Sequence, residues 1–352
     1  MDKSKFKIID TTLRDGSYAI NFQFSKEQTS IISNKLEDAG IEYIEVGHGV
    51  GLNACASNEN HALCTDEEYI VSAVNSVKNA KIGVFCIPKF ARLDDINMAA
   101  DRGLKFIRVG TNATEVKTSQ KYIERAKKLG LEVFANYMKS YALSPKEFAK
   151  NVKLSESYGA DGVYIVDSAG GMFKEDIKKY FDEIRKVSTI SVGFHAHDNL
   201  GLAIANNIAS IEMGLNFIDT SLQGLGRSSG NASTELVVLS MIKKGYSLDI
   251  DYIKLMEIGA KYIIPLLSAK GRTPLDMISG FAEFHTSYMK FIKECSLKHN
   301  VNPLELIIEY CKYDKINMDV KKLDELGCKI KNRCIPEDYN YERYYGNEQY
   351  IG

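Results

Sequence analysis

The chain has 352 residues, enough for one large domain with an appendage or for two medium domains with a substantial core. Its 45 Lys and Arg residues nearly balance 46 Asp and Glu residues, so its charge does not indicate a nucleic acid or an anionic membrane as partner. We find no apolar run long enough for a signal peptide or a membrane span. Seven cysteines without a C-x-x-C pair predict a reduced, cytoplasmic enzyme with ordinary buried thiols.

Eight short runs rich in β-branched and aromatic residues recur along the chain, and each predicts a β-strand. With their first residues, they are FKII (Phe6), IEYIEV (Ile41), KIGVFC (Lys81), KFIRVG (Lys105), LEVFAN (Leu131), GVYIV (Gly162), ISVGFH (Ile190) and NFIDTS (Asn216). The segments between them have helical spacing. Ser144, Pro145 and Glu147, for example, predict a helix start with a capping box.

Strands that alternate with helices predict parallel strands joined by crossover helices. Eight repeats match a (β/α)8 TIM barrel, which is an α/β fold of roughly 250 residues. A doubly wound sheet is the alternative, but it usually has fewer strands and a glycine fingerprint after the first one. Here the first strand is followed by DTTLRDG, which is not such a fingerprint. We therefore predict a catalytic barrel over residues 1–248.

The pattern changes after about Asp249, where only helical spacing remains. We predict a C-terminal helical domain over residues 249–335. The remaining residues, 336–352, form a polar tail rich in tyrosine, and an arm and a subunit contact are both open readings of it.

The active site of such a barrel lies at the carboxyl ends of its strands. His195 and His197 end the seventh strand and are two residues apart, so their rings point the same way. Only strand eight separates them from strand one, which lets Asp15 converge on the same point. Two imidazoles and one carboxylate form a facial ligand set for a divalent cation that polarises a carbonyl. The alternative is one exposed and one hydrogen-bonded histidine.

Arg14 directly precedes Asp15. On an extended chain the two side chains diverge, which leaves the guanidinium to face a bound enolate or carboxylate. A surface ion pair between them is the alternative. His48, after strand two, is either a functional or a structural histidine, and His299 lies in a polar segment where we predict a surface residue without a partner. For the loop GLGRSSGN we favour a barrel-closing turn over a phosphate cradle.

Five motifs together resemble one family: DTTLRDGSYAINFQF, EVGHGVGL, VDSAGG, GFHAHDNLGLAIANNIASIEMG and SLQGLGRSSGNASTE. They are similar to the metal-dependent 4-hydroxy-2-oxovalerate aldolases, in the barrel superfamily that includes 3-hydroxy-3-methylglutaryl-CoA lyase. The resemblance covers about residues 6 to 330. It implies that Asp15, His195 and His197 hold Mn2+, with Co2+, Mg2+ and Zn2+ as alternatives. Asn231 matches a metal-proximal asparagine of the lyase branch.

The resemblance also implies how substrate binds. Pyruvate would bind the metal through its keto and carboxylate oxygens, beside Asp15 and His195. Arg14 would stabilise the enolate, Ser168 would contact the carboxylate, and His48 is a further substrate-binding candidate. In these aldolases the helical domain docks an acylating aldehyde dehydrogenase, so that partner, or a homo-oligomer formed through the same domain, is expected.

The sequence departs from the family at Tyr18, where the aldolases carry a histidine proposed as the general base. Their helical domain carries a tyrosine where this chain has His285. We infer a reciprocal exchange in which Tyr18 and His285 face each other across the pocket and the imidazole acts as the base. The alternative is a rebuilt pocket in which neither group moves protons.

Two further stretches depart from the family near the predicted mouth. MKSYAL offers Lys139 and Tyr141, and GLGRSSGN offers Arg227 and two serines. They suggest a polar or sugar-like acceptor aldehyde. The sequence therefore favours a class II aldolase that makes or cleaves a bond to pyruvate. Two alternatives remain: an acyl-CoA lyase or Claisen-type synthase of the same superfamily, and a non-catalytic partner of an aldehyde dehydrogenase.

Overall fold

A computed structural model describes residues 6–56, 61–267 and 274–330. Eight parallel strands close into a barrel in chain order, with the first strand paired to the eighth. They are β1 (Lys7–Asp10), β2 (Tyr43–Glu45), β3 (Lys81–Cys86), β4 (Phe106–Asn112), β5 (Glu132–Met138), β6 (Gly162–Asp167), β7 (Ser191–Ala196) and β8 (Phe217–Thr220). Each predicted strand is present, so the (β/α)8 prediction is confirmed and the doubly wound alternative is wrong.

Helices surround the barrel because each buries one apolar face against the strands. They are α1 (Lys26–Asp38), α2 (Asp66–Val74), α3 (Leu93–Asp101), α4 (Gln120–Lys128), α5 (Pro145–Ser157), α6 (Lys174–Val187), α7 (Ala203–Met213) and α8 (Thr234–Lys243). The predicted capping box of α5 is present, since Ser144 Oγ accepts from the Glu147 N–H and the Glu147 carboxylate accepts from the Ser144 N–H. None of the described helices has the length and apolar character needed to cross a lipid bilayer.

The lower half of the barrel is filled by large side chains rather than by solvent. The aromatic residues of this layer are Tyr43, Phe106, Phe134, Tyr164 and Phe217. Glycines on neighbouring strands make room for these rings. A Cβ at Gly83 would lie 2.3 Å from the Phe106 ring, and one at Gly193 would lie 2.4 Å from the Tyr164 ring. The packed base leaves the carboxyl end of the barrel as the place for a site.

Among the described residues, five more α-helices follow the barrel: α9 (Tyr252–Ile258), α10 (Pro274–Ala282), α11 (Met289–His299), α12 (Pro303–Cys311) and α13 (Val320–Lys329). Helix α9 contributes Leu255 and Ile258 to the barrel's own core. Helices α10 to α13 share a separate apolar core that includes Leu275, Ile292 and Leu323. The predicted boundary at residue 248 stays a prediction, and the predicted tail, 336–352, lies outside the described residues.

Helices α10 to α13 and the segments between them form the helical part of the molecule. This helical part covers the carboxyl end of the barrel and is joined to it by hydrogen bonds. Asn199 Nδ2 donates to the Asp276 carbonyl over 3.0 Å, and Ser228 Oγ donates to the Asp276 carboxylate over 2.8 Å. Lys139 Nζ donates to the Ile316 carbonyl over 2.6 Å and lies 3.0 Å from Tyr288 Oη. Through these contacts α10, the segment before α11 and the segment between α12 and α13 cover the predicted site.

Lys139 is buried between the barrel and the helical part, and its two closest partners are uncharged. Burial and the positive charge of Arg227 lower the pKa of Lys139 to about 8, although Glu115 and Asp314 oppose this shift. The unfolded chain therefore binds more protons than the folded chain between about pH 8 and the ordinary lysine pKa of about 10.5. Stability attributable to Lys139 must then rise with pH across that window.

We expect a comparison with a Lys139→Met variant, which lacks the titrating group, to show the effect of Lys139 on the pH dependence of stability. Tyr288 Oη also donates to the Ile316 carbonyl, over 3.0 Å, so the substitution leaves that acceptor paired. The free energy of unfolding of the wild type should gain about 2 kcal/mol relative to the variant between pH 7 and about pH 9.5. Urea unfolding of both proteins at the two pH values measures this. A difference that is independent of pH, or that shrinks for the wild type, would contradict it.

The six described cysteines form no disulfide with one another. Four are buried, as predicted, whereas Cys55 is half-buried and Cys328 is exposed. The prediction of ordinary buried thiols is therefore wrong for Cys328, whose side chain is exposed near the end of α13.

Candidate active site

Three predicted ligands meet at the carboxyl end of the barrel. Asp15 begins a 3-10 turn that runs to Ile20, His195 lies near the end of β7, and His197 follows that strand. All three are buried, and their potential ligand atoms lie within 4.8 Å of one another. The described structure therefore holds a candidate site for a divalent cation.

The hydrogen bonds of the two histidines decide which ring nitrogen faces the site. His195 Nδ1 lies 2.7 Å from the Asp219 carboxylate, and His197 Nδ1 lies 3.3 Å from the Gly230 carbonyl. Both partners are acceptors, so each Nδ1 carries a proton and each Nε2 keeps its lone pair. Carboxylate or carbonyl support behind an imidazole is the usual arrangement of metal-ligating histidines. The donor set thus fits a divalent cation.

Asn231 adds a further oxygen beside this set. The loop 224–231 folds into the predicted turn, in which the Asn231 N–H donates to the Gly224 carbonyl over 2.9 Å. Asn231 Nδ2 then donates to Asp15 Oδ2 over 2.8 Å. Its amide oxygen is buried and has no hydrogen-bond partner among the described residues. Because an unsatisfied buried oxygen is costly, this atom is suited to a cation or a substrate donor.

The prediction that Arg14 diverges from Asp15 is wrong. Arg14 has backbone angles of φ −119° and ψ −78°, so the chain turns here instead of staying extended. Its Nη1 donates to Asp15 Oδ1 over 2.6 Å. The surface-pair alternative is also wrong, since Arg14 is only 5% exposed and lines the cleft. Its Nε donates to Glu45 over 2.6 Å, which fixes the guanidinium from behind.

A chain of buried charges connects Arg14 to His195 through the barrel. Glu45 accepts from Arg14 and also from Arg108, whose Nε lies 2.7 Å away. Arg108 donates in turn to Asp219, which supports His195. Burial raises the pKa of Glu45, but the two guanidiniums outweigh it and lower this pKa to about 2. Arg14 likewise holds the pKa of Asp15 well below its usual range despite burial.

Arg227 reaches the same site from the loop after β8. Its Nη2 donates to the Ser168 carbonyl over 3.1 Å and lies 3.2 Å from His197 Nε2, and its Nη1 contacts Thr286 Oγ1. A cation bound by His197 would need the lone pair that Nη2 occupies. Arg227 would therefore compete with a cation at this nitrogen, and its guanidinium would have to move for His197 to hold the ion.

His285 and Tyr18, the predicted exchanged pair, both line the cleft. The Ser287 N–H donates to His285 Nδ1 over 3.3 Å, so the neutral ring carries its proton on Nε2. Ser287 Oγ, 2.6 Å from Nδ1, must then be a donor to this nitrogen. Burial and the charges of Arg227 and Lys139 hold the pKa of His285 well below its usual range, so the ring is neutral near pH 7. The exchange itself stays a prediction.

Two further candidates take different positions. Ser168 lines the cleft, and its hydroxyl accepts from the Lys139 N–H over 2.9 Å. His48 is not among the described cleft residues; its ring stacks on Phe22 at 3.9 Å between centroids, and its Nδ1 accepts from the Val50 N–H over 3.1 Å.

The residues suggested for a polar cleft entrance do not all lie at the cleft. Among the described residues that line the cleft, Arg227 is present but Lys139 and Tyr141 are not. The suggestion that Lys139 and Tyr141 face the acceptor is therefore wrong. The ammonium of Lys139 is turned to the helical part, and the Tyr141 hydroxyl is buried without a hydrogen-bond partner among the described residues.

The cleft itself has an empty volume of about 530 Å³, part of it open to solvent. Two of its polar groups, Ser287 and Asn136, are not predicted from the sequence. The amide oxygen of Asn136 is buried without a hydrogen-bond partner among the described residues. Asn136 could have been proposed from the sequence, because it is a polar side chain near the carboxyl end of the fifth predicted strand.

Comparison with known proteins connects this geometry to a family. The HMGL-like family model matches residues 5–261. The chain belongs to the HMGL-like family. Curated relatives named 4-hydroxy-2-oxovalerate aldolase include that of Carboxydothermus hydrogenoformans, which is 38% identical over 87% of this chain and 91% of its own length. That of Moorella thermoacetica is 37% identical over 88% of this chain and 92% of its own length. The predicted resemblance to these aldolases is confirmed.

Solved structures agree with this HMGL-like assignment. The N-terminal domain of a putative aldolase from Bacteroides vulgatus is 27% identical, covers 88% of this chain and 97% of its own, and superposes with a TM-score of 0.69. HMG-CoA lyase from Brucella melitensis is 20% identical, with a TM-score of 0.66 over 76% of this chain and all of its own, and supports the fold alone. The names of the curated relatives do not favour the acyl-CoA alternative.

Proposed function

We propose that this protein is a divalent-metal-dependent aldolase that makes or cleaves the bond between the methyl carbon of pyruvate and an aldehyde carbon. The observation that carries the proposal is the meeting of Asp15, His195 and His197 beside the buried guanidinium of Arg14. The names of the curated relatives support the same reaction class. The bound cation would act as a Lewis acid on the keto oxygen of pyruvate.

Arg14 is proposed to stabilise the negative charge that develops on the same oxygen. Glu45 and Asp15 hold its guanidinium in place from two sides, so it needs no reorganisation when that charge forms. Ser168 is proposed to contact the substrate carboxylate from the facing strand. His48, with its ring stacked on Phe22, is better suited to support this wall of the site than to touch substrate.

For the metal we propose Mn2+. Carboxylate and amide oxygens suit Mg2+ and Mn2+, whereas imidazoles favour transition metals. A set of one carboxylate, one amide oxygen and two imidazoles combines both preferences. Stoichiometric manganese in protein purified from manganese-supplied cells supports this assignment, and exclusive zinc occupancy under the same conditions would reject it.

The proton that leaves the aldol hydroxyl during cleavage is proposed to pass through Ser287 to His285. The Ser287 hydroxyl already donates to the unprotonated His285 Nδ1, and both residues line the cleft. As Ser287 Oγ takes the substrate proton, it releases its own proton to Nδ1. A neutral imidazole is the form that this role requires.

A Ser287→Ala variant is therefore expected to lower kcat for cleavage about 10²-fold with little change in KM, since general base catalysis contributes at least this factor. Ser279→Ala is the matched control, because that buried hydroxyl donates to the Leu275 carbonyl on α10 and is not among the described cleft residues. Steady-state kinetics with a 4-hydroxy-2-oxo acid measures both. Equal kcat values for the two variants would show that the relay is wrong.

The acceptor aldehyde is proposed to be polar. One of the residues suggested from the sequence, rather than all of them, supports this proposal. Of the three cationic or polar residues considered, only Arg227 lines the cleft. If His197 held a cation through Nε2, the Arg227 Nη2 group that now lies 3.2 Å from this nitrogen would be available to a polar substrate oxygen. A purified protein that cleaves only short aliphatic 4-hydroxy-2-oxo acids would refute this proposal.

An aldehyde dehydrogenase or a second copy of the chain is proposed to dock on the helical part. Phe281 and Leu297 expose large apolar side chains there, at 67% and 58%. Analytical ultracentrifugation separates the two partners, because a homo-oligomer forms in the purified protein alone. A monomer that also fails to bind an acylating aldehyde dehydrogenase would count against both.

Deuterium exchange into pyruvate tests the proposed reaction without knowledge of the aldehyde. We expect mass spectrometry to show metal-dependent incorporation of deuterium into the methyl group when protein and pyruvate are incubated in D2O. Absence of exchange with Mn2+, Co2+, Mg2+ and Zn2+ would refute the proposal. Thiol release from an acyl-CoA would instead support the lyase alternative, and a lack of any bound cation would support a non-catalytic partner.

A further inference from the structure

The candidate cation site lies on one side of the cleft. Asp15 follows β1, and His195 and His197 lie at the end of β7, so β8 runs between the elements that carry the cluster. In a closed barrel of eight strands, β4 lies opposite β8, with β3 and β5 on either side of it. The cleft residues of β3 and β5 therefore form the wall that faces the cation site, which we call the far wall.

The far wall is apolar apart from one residue. Among the described residues that line the cleft, it consists of Phe85 on β3, Ile87 directly after β3, and Asn136 and Met138 on β5. Phe85, Ile87 and Met138 pack together in one apolar cluster. Asn136 is 3% exposed. A single carboxamide thus interrupts an otherwise apolar surface.

The barrel places Asn136 in this wall without providing a partner for its amide oxygen. Asn136 pairs in register with Gly110 on β4, which offers no side chain. A Cβ at Gly110 would lie 2.3 Å from the Phe85 ring, so the ring occupies the space beside this position. The amide oxygen of Asn136 is buried and has no hydrogen-bond partner among the described residues.

Packing alone does not explain an asparagine at this position. An unpaired buried carboxamide is costly, whereas an apolar side chain of the same branching would carry no such cost. The last side-chain torsion of asparagine is broad and roughly two-fold, so either end of the amide can be turned to the cleft. Asn136 is therefore suited to hydrogen bonding with a bound substrate.

We propose that Asn136 recognises a hydroxyl group on the chain of the acceptor, so that the acceptor is a hydroxyaldehyde rather than an alkyl aldehyde. This inference rests on the proposed aldolase function, in which pyruvate occupies the cation side of the cleft beside Arg14. The aldehyde joins the methyl carbon of pyruvate, and its chain extends towards the far wall. Phe85 connects the two sides, because the Arg14 guanidinium lies 4.7 Å from its ring centroid.

The chemistry of the far wall favours a hydroxyl over other groups. A carboxamide offers one acceptor and two donors, and a hydroxyl offers one donor and two lone pairs, so the two groups are complementary without any charge. An alkyl aldehyde would leave the amide unpaired. A site that hydrogen-bonds a substrate hydroxyl discriminates strongly against the analogue that lacks it.

Two substrates that differ by one oxygen test this inference in the full-length protein. Cleavage of 4,5-dihydroxy-2-oxopentanoate releases pyruvate and glycolaldehyde, whereas cleavage of 4-hydroxy-2-oxopentanoate releases pyruvate and acetaldehyde. We expect kcat/KM of the wild type to be at least about tenfold higher for the first substrate. In an Asn136→Leu variant, which keeps the side-chain branching, this ratio should fall to about one or below.

Asn151→Leu is the matched control. Asn151 lies on α5, outside the described cleft, and its Nδ2 donates to the Ala113 carbonyl over 2.8 Å. This control should keep the wild-type ratio but unfold at a lower urea concentration, because it loses a hydrogen bond. Asn136→Leu breaks no described side-chain hydrogen bond and should not be destabilised in this way. Asn136→Ala provides the same comparison of ratios if the leucine variant does not fold.

The outcomes separate this inference from the proposed function. A wild-type ratio near one, or an unchanged ratio in the Asn136 variants, would overturn the inference alone. It would also be overturned if Asn136→Leu slowed deuterium exchange into pyruvate as much as it slowed cleavage of the dihydroxy substrate, since Asn136 would then contact pyruvate. Absence of exchange in the wild type with every cation would refute the aldolase function, and the inference with it.

Discussion

A His195→Ala variant is expected to lose the barrel-site cation and to exchange the pyruvate methyl protons at least about 10³-fold more slowly than the wild type. The factor follows from the several kcal/mol that a Lewis acid contributes to carbonyl activation. His195 is buried. Among the described residues, the cluster that contains it has two other members, Asp15 and His197, so loss of its Nε2 removes one of three ligands. Metal analysis and exchange kinetics on the same sample measure both losses.

His61→Ala is the matched control, since this histidine is exposed and belongs to no metal-binding cluster among the described residues. It should keep wild-type metal content and exchange. If His195→Ala retains both the stoichiometric cation and its exchange rate, the imidazole is not a ligand and the proposed site is wrong.

An Arg14→Lys variant is expected to keep the barrel-site cation but to lower kcat about 10²- to 10³-fold, as removal of an oxyanion-stabilising donor does. The guanidinium of Arg14 donates hydrogen bonds to Glu45 and Asp15 at the same time. A lysine ammonium is a point charge and cannot hold both carboxylates while facing a substrate oxygen. Cleavage kinetics and metal titration separate the loss of kcat from any loss of metal.

Arg92→Lys supplies the control, because Arg92 pairs with Asp95 on the surface with a side chain that is 70% exposed. This variant should be indistinguishable from the wild type. A similar kcat for Arg14→Lys and the wild type would leave Arg14 as a structural partner of Glu45 only. A failure of metal binding would instead assign Arg14 to the orientation of Asp15.

Much of the fold follows from local sequence. Each strand is a short β-branched or aromatic run between helical segments, and this alternation determines a parallel barrel. The order of strands in a closed barrel also brings β7 and β1 together across β8, which is why Asp15 and the His195–His197 pair were predictable as one cluster.

The rest of the candidate site depends on contacts between distant residues. The turn at Arg14, and with it the ion pair to Asp15, follows from how the chain leaves β1 rather than from residue spacing. Glu45, Arg108 and Asp219 are charged residues inside strands, a visible sign of buried pairing, but their partners are known only once the barrel closes. Such pairs are retained only where each charge is compensated.

The helical part illustrates the same limit. The prediction that His299 is a surface residue without a partner is wrong, because its Nε2 on α11 lies 2.6 Å from Asp324 Oδ1 on α13. Which helix packs on which is determined by the apolar core of α10 to α13, so this contact cannot be found from local spacing. Ser287 was missed for the same reason, since its role depends on the orientation of the His285 ring.

Anomalous diffraction from crystals grown with Mn2+ tests the central claim most directly. We predict an anomalous peak at manganese-to-ligand distances from Asp15, His195 Nε2 and His197 Nε2, with Arg227 displaced from His197. A map with no peak among these three side chains, although manganese is present at saturating concentration, would contradict the account.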